Sequence, residues 1–228
     1  MRLGRSLARA LLAQDCVLCQ AASGADLVCG ACARELPAAA TGCPRCAAPG
    51  GDAECAACIA TPPHYDASRA AFVYAFPVDA LIQALKYGGQ LALASLFARA
   101  LQRRLGPAPR VDLIVPLPLH PQRLAERGFN QAAEIAKALA RAYGIAMDAR
   151  LARRVRNTAA QTGLPWRERA ANVRGAFACG RDLTGLNIAV IDDVITTGAT
   201  LDEFARTLKR SGAARVENWV VARTARDV

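Results

Sequence analysis

Apolar positions fall into short blocks separated by glycine and proline, and their spacing switches between a helical and a strand period. After Thr61-Pro62-Pro63-His64-Tyr65, a linker by its prolines, residues 70–75 read as a strand. Residues 77–86 have helical spacing, with a proline at the start and Gly88-Gly89 behind. An amphipathic helix follows over 91–105, closed by Gly106-Pro107, then a short apolar strand over 111–117. The spacing predicts a helix over 131–143 stopped by Gly144. It then predicts a buried strand over 187–191 running into Asp192-Asp193, a helix over 201–210 stopped by Gly212, and a last strand over 216–222. Strands alternating with helices imply an α/β domain with a mainly parallel sheet over 61–228.

Residues 1–60 have a different texture, with few large apolar side chains. Leu3, Leu7 and Leu11 share one helical face between Arg2, Arg5 and Arg9. This reads as a short amphipathic helix docked on the module behind it, with a weak membrane-surface anchor as the second reading. The apolar stretch is too short, and too broken by Arg9, for a secretory leader, and Asp15 before Cys16 does not suit a lipoprotein cleavage site. No run approaches the ~20 apolar residues of a membrane span. The expected location is the cytoplasm, with attachment to the inner face of the membrane as the furthest membrane role.

Eight of the nine cysteines form four C-x-x-C pairs: Cys16/Cys19, Cys29/Cys32, Cys43/Cys46 and Cys55/Cys58. Two such pairs make a tetrahedral S4 site, the closed geometry of structural zinc. Two sites are therefore expected. Consecutive pairing, Cys16, Cys19, Cys29 and Cys32 for one ion and Cys43, Cys46, Cys55 and Cys58 for the other, is favoured because short loops close at least entropic cost. A cross-braced pairing stays open, as does iron–sulfur ligation by the same thiolates. Disulfides would need an oxidising compartment. With so thin a core, bound metal would supply the folding energy of the module. Cys179 stands apart, in a stretch that reads as a strand with a buried thiol, and His64 reads as a linker residue.

Charge adds a further division. The chain has 29 basic and 19 acidic side chains, net +10. Residues 1–60, 61–98 and 175–228 are each neutral, and residues 99–174 carry fifteen basic and five acidic groups, the whole excess. A concentrated basic block suits a polyanionic partner, or else is a solvated arginine-rich surface. Trp166 and Phe129 lie within it, either as stacking platforms for single-stranded nucleic acid or as loop anchors.

The most specific chemical motif is Ile188-Ala189-Val190-Ile191-Asp192-Asp193-Val194-Ile195-Thr196-Thr197-Gly198-Ala199-Thr200. An apolar strand delivers two carboxylates, and a Thr-Thr-Gly-Ala-Thr turn opens a helix. Backbone N–H groups at a helix start bind phosphate, and glycine permits close approach. Carboxylates accept from vicinal hydroxyls, so the pattern describes a site for a ribose 5-phosphate. Two adjacent acids in a buried strand would be costly without partners.

This segment resembles the phosphoribosyl pyrophosphate (PRPP) motif of type I phosphoribosyltransferases. Arg127-Gly128-Phe129-Asn130-Gln131 after Val115-Pro116-Leu117-Pro118, and Arg156-x-Thr158-x-x-Gln161-x-x-Leu164 before Arg169-x-x-Asn172, narrow the resemblance to the ComF family (ComFC and GntX-type proteins), including its amino-terminal double zinc ribbon. The resemblance runs from about Cys16 to Arg223. It implies a zinc-ribbon unit over 1–60 and a type I phosphoribosyltransferase fold over 61–228, with two structural Zn2+ and with PRPP and Mg2+ in the site. By position, Asp192 and Asp193 would hold the ribose hydroxyls and serve as the catalytic carboxylates. Thr196, Thr197, Gly198, Ala199 and Thr200 would cradle the 5-phosphate. Pro116, Leu117 and Pro118 would form the pyrophosphate loop, with Arg127 and Lys86 as further PRPP-binding cations, although Lys86 also reads as a solvated helix end. Residues 153–174 would close over the leaving group. Relatives imply a role in DNA uptake and natural transformation, or in using DNA as a nutrient, with single-stranded DNA and proteins of a DNA-uptake machinery as partners. The alternatives are a metabolic phosphoribosyltransferase and a non-catalytic PRPP sensor.

Overall fold

The computed structural model describes residues 14–107, 109–157 and 171–225. The helix expected around Leu7, and Thr158, Gln161, Leu164, Trp166 and Arg169, lie outside the described residues.

The elements in chain order are β1 (Gln14–Asp15), β2 (Ala22–Gly24), α1 (Gly30–Arg34), α2 (Ala56–Ala60), β3 (Ala67–Val73), α3 (Val78–Tyr87), α4 (Leu93–Leu105), β4 (Leu113–Pro116), α5 (Pro121–Arg127), α6 (Gln131–Tyr143), β5 (Ala146–Met147), β6 (Ala152–Arg154), β7 (Phe177–Cys179), β8 (Asn187–Ile195), α7 (Ala199–Arg210) and β9 (Arg215–Arg223). Five strands form one sheet in the order β3-β9-β8-β4-β5, and every neighbouring pair is parallel. The α/β architecture read from the alternation is thus the observed one, with helices on both faces and a cysteine-rich unit at the amino-terminal side.

One sheet face is covered by α3, α4 and α6, whose Ile82, Leu85, Phe97, Leu101, Ile135 and Leu139 bury Ile114, Ile191, Trp219 and Val221. The other is covered by α7 and the antiparallel pair β6 and β7, with Leu201, Phe204 and Phe177 against Val115, Val190 and Val220. Cys43, Cys46 and Cys58 belong to this second core, so the later cysteine group packs directly on the sheet domain. The chain leading to it also covers a sheet edge. The Ala39 N–H donates to the Ala71 carbonyl (2.9 Å), the Val73 N–H to the Pro37 carbonyl (2.8 Å), and Ala38 bridges Phe72. Pairing along β3 removes an open edge that would otherwise template association.

Three features depart from or extend the pattern reading. The strand expected over 187–191 continues to Ile195, because Val194 and Ile195 pair with Ala222 and Arg223 of β9; both acids are therefore strand residues. Helix α5 was not anticipated, since none of its residues is buried and no apolar period marks it. It starts on Pro121 and ends at a left-handed Gly128, and the His120 ring Nδ1 accepts the Gln122 N–H (3.3 Å), a capping role for that histidine. Cys179 ends β7 half-buried, in the strand that was expected around it.

Candidate functional site

At the carboxyl end of β8 the four apolar residues 188–191 are wholly buried, and the two acids follow at once. Strand alternation sends them to opposite faces. Asp193, 5% exposed, faces α3 and α6, where its Oδ2 accepts from Lys86 Nζ at 2.9 Å and from Gln131 Nε2 at 2.8 Å. Arg127 Nη1 donates to Gln131 Oε1 at 2.6 Å, with its guanidinium 5.1 Å from the centre of the Tyr87 ring. Lys86, Asp193, Gln131 and Arg127 thus form one polar chain at the mouth of the sheet. Burial lowers the Lys86 ammonium's proton affinity, but Asp193, with Asp192 behind it, outweighs burial and holds its pKa above the ordinary lysine value.

Asp192 is half-buried and its Oδ1 accepts the Asp193 N–H at 2.8 Å. Burial, and next the Asp193 carboxylate, push its carboxyl up to about 8, against the opposing pull of that N–H and of Lys86 and Arg154. Two carboxylates this close do not ionise independently. Arg154 is itself buried at the end of β6, its guanidinium over the Phe177 ring (5.5 Å). Burial, then the nearby Arg123, lower its pKa, and Asp192 works in the other direction.

After Ile195 the chain turns through Thr196 and Thr197 into Gly198, which caps α7 at φ +84°. A Cβ there would stand 2.8 Å from Tyr65 Oη, so both the backbone conformation and the space require glycine. Thr197 Oγ1 accepts the Ala199 N–H at 3.3 Å. The positive end of the 12-residue α7 opens at this turn, the local geometry of an anion site. Asp202 in its first turn accepts the His64 N–H (2.6 Å) and lies 3.0 Å from His64 Nδ1, which ties the linker histidine to this helix. Beneath the turn Arg223, 2% exposed, donates from Nη1 to the carbonyls of Ile195 (3.0 Å) and Thr196 and from Nε to the Cys46 carbonyl (3.1 Å).

The loop after β4 lies alongside. Pro116 is in register with Ile191, and the Leu117 N–H donates to the Ile191 carbonyl at 2.9 Å. Asn130 fixes this loop to α6, with Nδ2 on the Leu117 carbonyl (3.0 Å) and Oδ1 on the Ala132 and Ala133 N–H groups. Pro116, Leu117 and Pro118 thus sit at the same end of the sheet as Asp192, Asp193 and the turn from Thr196 to Thr200. Lys86 and Arg127 converge on Asp193 and Gln131; Lys86 is an ion-pair partner rather than a solvated helix end. Phe129 packs against the helical core, an anchor. Sequence reasoning gave no separate role to Gln131 or Arg223, and read Arg154 only as part of a closing loop. The available signal was a polar or charged residue placed where the pattern demands burial.

The cysteines form two groups, Cys16, Cys19, Cys29 and Cys32, and Cys43, Cys46, Cys55 and Cys58, with ligand atoms within 4.8 Å of one another. This is the consecutive pairing. The two knuckles repeat one backbone pattern. The N–H of Gln20 donates to the Cys16 carbonyl and that of Ala47 to the Cys43 carbonyl, both at 2.8 Å, while the N–H groups of Cys16 and Cys43 donate to the Ala21 and Ala48 carbonyls. Gln20 (φ +61°) and Ala47 (φ +56°) occupy the left-handed region at matching positions. Burial raises the Cys16 thiol, but the N–H groups of Cys29, Cys19 and Leu18 more than offset it, leaving it at about 6. Two groups of four converging sulfurs, with backbone N–H donors at Cys16 and Cys55 that favour thiolate, suit two tetrahedral Zn2+ ions.

No protein-family profile matches the chain. It is similar to the DNA utilization protein YhgH of Salmonella typhi, with 36% identity over 205 residues, 86% of this chain and 90% of that protein. Competence protein F of Haemophilus influenzae is 31% identical over 178 residues, 74% of this chain and 78% of its own length. Competence protein ComFC of Streptococcus pneumoniae is 28% identical over 155 residues, covering 68% and 67%. A solved structure titled as the allosteric regulatory enzyme of purine biosynthesis superposes with a TM-score of 0.38 at 19% identity, over 57% of this chain and 25% of that one.

Proposed function

The chain belongs to the ComF-type family of DNA utilization and competence proteins, and from that premise we propose that it binds PRPP at the end of β8 in the service of DNA uptake or DNA use, handling single-stranded DNA. The observation that carries the reading is the pairing of a helix-opening turn at Thr196–Thr200 with two carboxyl groups three and four residues upstream, Lys86 bonded to Asp193, Arg127 joined to it through Gln131, and Arg154 near Asp192. The turn and the start of α7 would take the 5-phosphate, Asp192 and Asp193 the ribose hydroxyls, and the cations and the Pro116–Leu117–Pro118 loop the pyrophosphate, with Mg2+ screening that polyanion. In phosphoribosyl transfer the C1–O bond breaks, pyrophosphate leaves with the bonding pair, and an acceptor that loses a proton adds at C1. Cations held at the leaving group stabilise that separation of charge. Residues on three elements fix these groups before any ligand arrives, which keeps reorganisation small.

The nucleic-acid part rests on a groove of about 540 Å³ between α1 and α4, where Arg34, Arg99, Arg103 and Arg104 face one acid, Asp26, among the lining residues. The apolar floor of Val28, Phe72 and Ala100 and the arginine rim suit a strand backbone better than a small substrate.

Calorimetry with PRPP and Mg2+ tests the site. Binding is expected, and Asp193→Asn should weaken it about tenfold or more, the loss of one charge-assisted hydrogen bond. Unchanged affinity in the double variant Asp192→Asn/Asp193→Asn overturns the assignment. Pyrophosphate release across bases and single-stranded DNA then separates an enzyme from a PRPP sensor. Release with a free base but no DNA binding favours a metabolic transferase.

A further inference from the structure

The phosphate turn and the second cysteine knuckle are far apart in sequence but share one support. Arg223, the last residue of β9, lies between them with its guanidinium plane bonded on both sides. Nε holds the carbonyl of Cys46, and Nη1 holds the carbonyls of Ile195 and Thr196 and Thr224 Oγ1 (3.1 Å). Tyr65 stands beside it, 3% exposed, with its hydroxyl against Gly198. Arg45, the residue before Cys46, donates Nη1 to the Tyr65 carbonyl at 3.2 Å, and the Ser68 N–H donates to the Pro44 carbonyl at 3.1 Å. Cys43, Cys46, Cys58, Tyr65, Ile195 and Leu201 are members of one continuous core. The knuckle is therefore the floor of the turn. The first knuckle has no such contact with the turn among the described residues; Leu18 and Leu27 beside its cysteines pack against the core on the opposite face of the sheet.

The Cys46 carbonyl is oriented by a left-handed residue, Ala47, that is held in place by the closed knuckle. Without an ion nothing bonds the four sulfurs to one another, so loss of the metal would release the knuckle and leave that carbonyl free to move. A rigid, planar fork transmits such a movement, whereas a flexible single ammonium would absorb it. We propose that Arg223 is a positioning residue that couples metal occupancy of the Cys43, Cys46, Cys55 and Cys58 site to the conformation of the turn from Ile195 to Gly198, so that the second metal sets the turn's affinity for a phosphate monoester. The affinity part rests on the phosphate reading of that turn; the conformational part does not.

The test uses the full chain and three readouts: metal content by elemental analysis, amide hydrogen exchange of residues 195–200, and ribose 5-phosphate affinity by calorimetry. Arg223→Lys keeps a positive charge but not the fork. It should keep two metal ions, exchange at least tenfold faster in the turn, and bind ribose 5-phosphate at least tenfold more weakly. Cys55→Ser, or partial chelation of the wild-type protein should the variant not fold, should release one ion and reproduce the faster exchange. Cys29→Ser should release the other ion and leave turn exchange as it was. Loss of the second ion with unchanged turn exchange overturns the coupling, as does an equal response to loss of the first. Wild-type protein whose turn responds to the metal but which binds no ribose 5-phosphate overturns the phosphate reading alone.

Discussion

Asp193 and Asp192 show how the strand period divides two adjacent, chemically identical side chains. Asp193 accepts from both Lys86 and Gln131. Removing the ammonium alone strands a buried carboxylate, so Lys86→Met should cost about 3 kcal/mol in urea unfolding, and adding Asp193→Asn should recover most of it. Asp192 keeps its proton to about 8 in the folded chain, whereas an unfolded Asp releases it near ~4. Between those values the native state binds more protons than the unfolded state, so this group makes stability fall as pH rises. Asp192→Asn should flatten that fall, gaining on wild type as pH rises from ~4 to ~8; parallel slopes in urea unfolding across that range would contradict the assignment. The pair itself was legible in the sequence as a costly juxtaposition. Its division between two faces was not, because the strand reading stopped at Ile191 and set both acids at its carboxyl end, outside the alternating pattern.

Elements were legible where an apolar period met a capping residue. The helix over 131–143 was found to the residue, because Asn130 and Gly144 bound a run in which Ile135, Ala136 and Leu139 are buried. Helix α5 and strand β6 were not read, since α5 buries nothing and β6 carries arginines where a pattern would show aliphatic residues. Both flank the site, and a site with few apolar contacts leaves little trace in hydrophobic spacing. Asn130 joins the two kinds of element by capping α6 and holding the Leu117 carbonyl. Asn130→Ala should cost about 1–2 kcal/mol, a drop of roughly 3–6 °C in Tm for a chain of this size. Asn130→Asp keeps the cap oxygen but sets a carboxylate against the Leu117 carbonyl. It should hold most of the stability while loosening the loop, and thus weaken pyrophosphate binding more than unfolding free energy. Equal losses in both measurements would show that the loop does not depend on this tether.

Over the whole molecule the basic excess separates into two populations that composition alone cannot tell apart. Some arginines of the block from 99 to 174 are drawn inward. Arg154 is buried against Phe177, and Arg127 is engaged with Gln131 and Tyr87. Others join a residue from outside the block, since Arg99, Arg103 and Arg104 on α4 share a groove with Arg34 of the cysteine-rich unit, whose own charge is balanced. The fold thus builds a basic surface across the two units that no contiguous window displays. A strand lying there would be held through its phosphates, and its affinity should fall steeply with salt. Replacing Arg34, Arg99 and Arg103 together by Gln should lower single-stranded DNA affinity. It should also reduce the slope of log affinity against log salt, by up to ~0.7 for each phosphate no longer neutralised. All three are exposed, so stability should stay within about 1 kcal/mol of wild type. The same variant should bind PRPP as before, because none of the three lies at the end of β8. If PRPP instead displaces the DNA from wild-type protein, and the triple variant keeps its DNA affinity, the strand occupies the cations around Asp193 and the groove is not its site.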